Sequence, residues 1–174
     1  MSSDEHRTIA FSKPAVSQTD SEAMLAVLNS GWLTTGRECA ALERDLSLYV
    51  DVPHVITMSS CTAALETAVA FLELTKGARV GVPTWTFVST ALSAVRDGAI
   101  PVLLDVNADT LNICPDSLAN ALAAGLDAVV VVHFAGVPVS EEIYDVCASA
   151  GVPVVEDAAH ALGATDHRGR VGGP

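Results

Sequence analysis

Positive charge is scarce in this chain. Lys and Arg number 9 against 21 Asp and Glu, the formal net charge is −12, and lysine occurs only as Lys13 and Lys76. Such a balance repels a phosphodiester backbone and argues against a nucleic-acid partner. A phosphate ligand stays open, because a helix N-terminus binds anions locally whatever the global charge. Charged residues make up 17% of a chain that is half apolar, which excludes intrinsic disorder. Aromatics are rare too, at 5%, so the core must come from Val, Leu and Ala. Cys39, Cys61, Cys114 and Cys147 have neither CxxC nor metal-type spacing. That pattern predicts buried thiols in a reducing cytoplasm, not a disulfide framework. The opening MSSDEHRTIAF lacks a basic segment followed by an apolar core, so it is no signal peptide. Apolar runs such as Ala128–Val132 are far too short to span a bilayer. A soluble cytoplasmic protein is predicted.

What is present is a regular alternation of short apolar runs with Ala-rich periodic segments. Strands are predicted at His54–Met58, Arg79–Val82, Ile100–Asp105, Ala128–His133 and Pro153–Glu156. Helices are predicted between them at Thr62–Leu74, Phe87–Arg96, Pro115–Ala124 and Ser140–Ala150. Repeated βα units with short connections call for a mostly parallel sheet with helices on both faces, an α/β fold. Ahead of them, Asp20–Asn29 and Glu38–Tyr49 read as two amphipathic helices. They are joined by Gly31-Trp32-Leu33-Thr34-Thr35-Gly36, which is either a plain corner or a loop that lends Trp32 and Thr35 to a site. The chain stops in mid-pattern, after the turn Asp166-His167-Arg168-Gly169, as a fragment of a longer protein would.

Chemistry-bearing residues gather where predicted strands end, the edge at which open α/β sheets bind ligands. Val154-Val155-Glu156-Asp157-Ala158-Ala159-His160-Ala161 delivers a carboxylate, two small residues and a histidine to that edge. A carboxylate there can pair with a protonated ring nitrogen, or simply cap a helix. Ser59-Ser60-Cys61-Thr62-Ala63-Ala64-Leu65 begins a helix with small residues, leaving its first N–H groups open to an anion; Ser60 or Thr62 serves equally as an N-cap. Pro83-Thr84-Trp85-Thr86-Phe87-Val88-Ser89-Thr90 puts two aromatics beside it, either core or a stacking surface for a planar ligand. His133 ends another strand, in Val132-His133-Phe134-Ala135-Gly136, as a structural group or a ligand contact. His6, His54 and His167 show no metal spacing, and no metal site is predicted.

In this order GWLTTG, SSCTAAL, PTWTFVST, VHFAG and EDAAHALGA resemble the nucleotide-sugar aminotransferases of the DegT/StrS type, from about Phe11 to the end. These are fold type I enzymes dependent on pyridoxal 5'-phosphate. The resemblance implies that backbone groups at Cys61 and Thr62 hold the cofactor phosphate. It also implies Phe87 and Ala159 on the two faces of the pyridine ring, Asp157 on the ring nitrogen and His160 near the ring hydroxyl. Trp32, Thr34 and Thr35 match a loop near the active-site mouth, and His133 a histidine at its floor. The implied reaction transfers an amino group from glutamate or glutamine to a nucleotide-linked keto sugar, in a homodimer.

Two departures stand out. The family's Schiff-base lysine follows a strand beyond this chain's last turn, and neither Lys13 nor Lys76 matches it. Arg37 replaces the family's usual proline after TTG. The expected organisation is therefore a partial large domain. Residues 1–53 form an N-terminal helical segment, and 54–174 form the βα core, truncated before the lysine strand and the C-terminal small domain. Such a chain would not complete the reaction alone. The alternatives are a non-catalytic binder of cofactor or sugar nucleotide, and a nucleotide-binding oxidoreductase. The second lacks its GxGxxG fingerprint, and a P-loop is absent as well.

Overall fold

Short β-branched runs alternating with Ala-rich segments give four parallel strands and six α-helices among residues 12–173, which the computed structural model describes. The opening segment with His6 and Phe11, and the terminal Pro174, lie outside the described residues. The chain divides into two compact units between Ala41 and Leu42.

The first unit holds α1 (Gln18–Ser30) and the start of α2 (Arg37–Val50). Helix α1 begins with a reciprocal cap: the Asp20 N–H donates to Ser17 Oγ at 3.2 Å, and Ser17 N–H donates back to Asp20 Oδ2 at 2.8 Å. In the connection, Trp32 Nε1–H donates to the Thr35 carbonyl at 3.0 Å, which fixes the indole across its own loop.

In the second unit the order is α3 (Cys61–Phe71), β1 (Arg79–Pro83), α4 (Val88–Arg96), β2 (Ile100–Leu104), α5 (Pro115–Ala123), β3 (Ala128–Val132), α6 (Glu141–Ala150) and β4 (Val154–Asp157). A two-residue hairpin pair follows, β5 (Thr165–Asp166) and β6 (Gly169–Arg170). The large sheet has order β2-β1-β3-β4, parallel throughout, with Val129 opposite Val154 and Val132 opposite Asp157. Alternation along the strands sends side chains to two cores. Val80, Val82 and Val130 pack with Leu65 and Val69 of α3 and Ala94 of α4. Val129 and Val131 pack on the other face with Leu118 of α5 and Ile143 and Cys147 of α6. Each such Val or Leu side chain contributes about 1.5–3 kcal/mol by leaving water.

One expected strand does not form. His54–Met58 adopts no regular secondary structure and pairs with no strand among the described residues. Thr57 gives its N–H and its hydroxyl to Glu43 Oε1 of α2, both at 2.8 Å, so a carboxylate takes the place of a neighbouring strand. Ile56, part of the short apolar run that predicted the strand, is 75% exposed. The sheet therefore starts at β1. Other boundaries move by one to three residues: α3 stops at Phe71, Phe87 precedes α4, and His133 lies just beyond β3.

Candidate active site

The carboxyl ends of β1, β3 and β4 open on one rim. From β1 the chain crosses through α4 to β2 on one side, while β3 lies on the other, so the strand order reverses between β1 and β3. Ligands of open α/β sheets bind at such a reversal.

Asp157 is the last residue of β4 and is 6% exposed. Its Oδ2 accepts a hydrogen bond from Thr90 Oγ1 at 2.8 Å, and Thr90 lies 2.7 Å from the Thr86 hydroxyl. Its Oδ1 accepts from the Ala159 N–H at 3.3 Å and from the Cys61 thiol at 3.6 Å. Burial, and then the Asp157 charge, push the Cys61 thiol up from its ordinary value. In this contact the Cys61 S–H is a weak donor to the carboxylate.

A cleft beside Asp157 is walled by Thr86, Phe87, Val132, His133, Phe134, Ala159 and His160. Phe87 is 73% exposed and Ala159 is also open, so two apolar surfaces face the space in front of the carboxylate. Phe134 sits between Trp85 and His160, with ring centroids 6.3 and 6.4 Å away, the second pair edge to face. At the start of α3, Ser60 Oγ accepts from the Ala63 N–H at 3.1 Å, so Ser60 is the cap. The N–H groups of Cys61 and Thr62 have no protein partner among the described residues. They lie at the positive end of the helix dipole. The Thr62 hydroxyl instead meets Ser89 at 2.7 Å, joining the starts of α3 and α4.

His133 is fully buried and is among the residues lining the cleft. Its Nδ1 accepts the Val139 N–H at 3.2 Å and its Nε2 lies 3.1 Å from Glu156 Oε2. An accepting Nδ1 places the ring proton on Nε2, directed at Glu156. Both nitrogens are thus engaged by the protein.

Of the residues expected from sequence, Phe87, His133, Asp157, Ala159 and His160 share this cleft, and Cys61 reaches it through its contact with Asp157. Trp32, Thr34 and Thr35 belong to the first unit, where Trp32 and Thr34 line a cavity with Val27, Leu33 and Cys39. Several site residues were not anticipated. Thr86 and Thr90 are four apart where a helix begins, a spacing that puts two hydroxyls on one side. Glu156 belongs to a second network, on the opposite face from Asp157. Its Oε1 is 3.0 Å from Arg168, which also pairs with Asp166 at 2.7 Å and stacks 3.9 Å over the Tyr144 ring. Burial works to raise the Glu156 carboxyl. The His133 hydrogen bond and the Arg168 pairing and charge outweigh it and hold the group at about 2. Tyr144 and Arg168 are both pushed upward in the same network.

Residues 14–174 match the model of the DegT/DnrJ/EryC1/StrS aminotransferase family. This chain belongs to that family. Among solved structures it is similar to Spr1654 of Streptococcus pneumoniae, named as a sugar aminotransferase and solved in its PMP form. There the identity is 31% and the TM-score 0.90, over 95% of this chain and 46% of that one. It is also similar to PseC of Helicobacter pylori, an aminotransferase involved in the biosynthesis of pseudoaminic acid. Identity there is 28% and the TM-score 0.88, over 95% and 45% of the two chains. A third likeness is to DesV of S. venezuelae in complex with a ketimine intermediate, at 28% identity and TM-score 0.84, over 88% and 42%. The chain spans less than half the length of each. All five motifs read from the sequence fall within the matched span.

The donor set fits pyridoxal phosphate. One buried carboxylate, two amide N–H groups at a helix start that are unpaired among the described residues, and an exposed aromatic and a small residue lining the same cleft suit a cationic ring, a phosphate and a flat ring system. Among the described residues no cluster of three His, Cys, Asp or Glu is placed to hold a metal. No described helix is long and apolar enough to cross a membrane.

Proposed function

We propose that this chain forms part of a pyridoxal phosphate-dependent sugar aminotransferase that transfers an amino group from glutamate or glutamine to a nucleotide-linked keto sugar. The observation that carries the reading is Asp157, buried at the end of β4 with one oxygen fixed by Thr90 and a cleft in front of it. When bound, the cofactor supplies the electron sink for the carbon that exchanges its amino group. Asp157 keeps the ring nitrogen protonated by pairing with it. Cys61 and Thr62 hold the phosphate with their amide N–H groups. Phe87 and Ala159 cover the ring and exclude water, and His160, whose ring has no hydrogen bond within the described residues, binds the ring hydroxyl. His133 forms the floor on which substrate rests, and Trp32, Thr34 and Thr35 bind the sugar substrate. The active unit is a homodimer.

The position of Lys76 supports a second element of this reading, that the chain alone does not complete the transfer and binds pyridoxal phosphate weakly at best. Lys76 lies in the connection leading into β1, at the opposite end of the strands from Asp157.

Binding of pyridoxamine phosphate, which needs no lysine, tests the reading. Calorimetry should detect it, and Asp157→Asn should weaken it about ten- to a hundredfold, the range of a hydrogen bond to a charged group. Equal affinity in the variant would remove Asp157 from the role.

A further inference from the structure

We propose that the hydroxyl pair Thr86–Thr90 is the positioning device of the Asp157 carboxylate, and that it makes Thr86 an obligate acceptor toward the cleft. The inference rests on the reading of Asp157 as the partner of a ring nitrogen, and it adds two residues to that site. A hydroxyl has one proton. Thr90 Oγ1 donates its proton to Asp157 Oδ2 at 2.8 Å, so the 2.7 Å contact between Thr90 and Thr86 is a bond donated by Thr86. Direction along the chain is thereby fixed: Thr86 to Thr90 to Asp157. Hydrogen bonds in series polarise one another, which strengthens the last of them.

Thr90 is fully buried, so no water can replace its hydroxyl. A second bond, from Ser93 Oγ to the Thr90 carbonyl at 2.8 Å, ties down its turn of α4. The other groups touching the carboxylate are weaker, an N–H at 3.3 Å and a thiol at 3.6 Å. Thr90 alone makes a short bond to Asp157 and selects the carboxylate's rotation about its last torsion. Thr86 lines the cleft with its proton already committed, so it offers a ligand only lone pairs. A ligand N–H or O–H is accepted there; a ligand carbonyl is not.

Thr90→Val keeps the shape and removes the hydroxyl, and Thr90→Ser restores it. Pyridoxamine phosphate labelled with 15N in its ring is the probe, with circular dichroism and melting used to confirm that the variants fold. Thr90→Val should weaken binding about tenfold and move the ring 15N resonance toward the unprotonated position, and Thr90→Ser should recover both. Unchanged binding and resonance in Thr90→Val would overturn the relay. So would weakened binding with an unmoved resonance that Thr90→Ser does not rescue, which is a packing effect. If the wild-type chain fails to bind the probe, the cofactor reading fails. The relay is then decided without ligand, by the Asp157 13Cγ resonance: a shift in Thr90→Val reversed in Thr90→Ser upholds it, and no shift overturns it.

Discussion

Glu156 and Asp157 are consecutive on β4, yet their carboxylates are held on opposite faces of the sheet. Asp157 meets the hydroxyl of Thr90 and the thiol of Cys61, on the side of α3 and α4. Glu156 meets the ring of His133 and the guanidinium of Arg168, on the side of α6. Alternation along a strand makes this division unavoidable. One carboxylate is left facing a cleft while its neighbour is consumed by structure.

Glu156 should leave a signature in acid. Its carboxyl is lowered from 4.5 to about 2 and its side chain is only 20% exposed. A lowered folded value contributes stability that is complete above the unfolded value and disappears as pH falls through the folded one. The loss should therefore run from about pH 4.5 down to about pH 2 and amount to roughly 3 kcal/mol at most. Urea unfolding between pH 2 and 6 would measure it. Glu156→Gln should flatten the slope relative to wild type, and an unaltered slope would contradict the assignment.

Arg168 should be worth more than an ordinary surface cation. Replacing it with Met removes the partner of both Glu156 and Asp166 and the cover over Tyr144. An incompletely compensated, partly buried Glu156 should cost about 2 kcal/mol, below the range for a fully buried pair. Combining Arg168→Met with Glu156→Gln should recover part of that loss in a double-mutant cycle. Strict additivity would show that the two residues are not coupled.

The loop after β3 depends on Gly136. Its φ is +83°, and an added Cβ would stand 3.0 Å from the carbonyl oxygen of His160. Gly136→Ala should lose about 1–2 kcal/mol from the left-handed backbone alone and should also displace the chain at His160. Gly151, at the end of α6, has φ +68° with open space around it. Gly151→Ala should show similar destabilisation without disturbing the His160 resonances. Equal perturbation of His160 by both variants would deny the contact its role.

The second unit leaves Leu48, Ile56, Phe71 and Leu103 exposed, each by 65% or more. Apolar surface on this scale recruits other chains. The isolated chain should self-associate, and sedimentation should give a mass above that of one chain. A stable monomer at micromolar concentration would oppose this.

Much of this arrangement was legible in the sequence because it rests on period and punctuation. Short apolar runs set off by turn residues, such as the one that forms β3, marked β1 to β4, and the small residues after Ser60 marked the start of α3. Asp157 was legible because it follows an apolar run at a strand end. His54–Met58 misled because a short apolar run says nothing of whether a neighbouring strand exists; Glu43 supplied the partner instead. Thr90 and the Glu156–Arg168 pair were hidden for a different reason. Thr90 meets a carboxylate 67 positions away, and Glu156 meets a cation from the hairpin that follows β4. A contact between separate elements leaves no local pattern.

The last expectation concerns the two lysines. Pyridoxal phosphate anchors covalently only to an amine that reaches its aldehyde, in a site that holds ring and phosphate in place. Lys76 precedes β1 at the amino end of the strands, whereas Asp157, Ala159 and His160 lie at the carboxyl end of β4. A strand of five residues separates the two levels by about 16 Å, beyond the reach of a lysine side chain. Lys13 belongs to the first unit and precedes α1. Incubation with pyridoxal phosphate, borohydride reduction and peptide mass spectrometry should therefore give sparse labelling spread over Lys13, Lys76 and the N-terminus. Affinity should be unchanged in a Lys76→Arg variant. Stoichiometric labelling of a single lysine, accompanied by amino transfer, would mean that the covalent chemistry of this chain resides where neither strand geometry nor motif order places it.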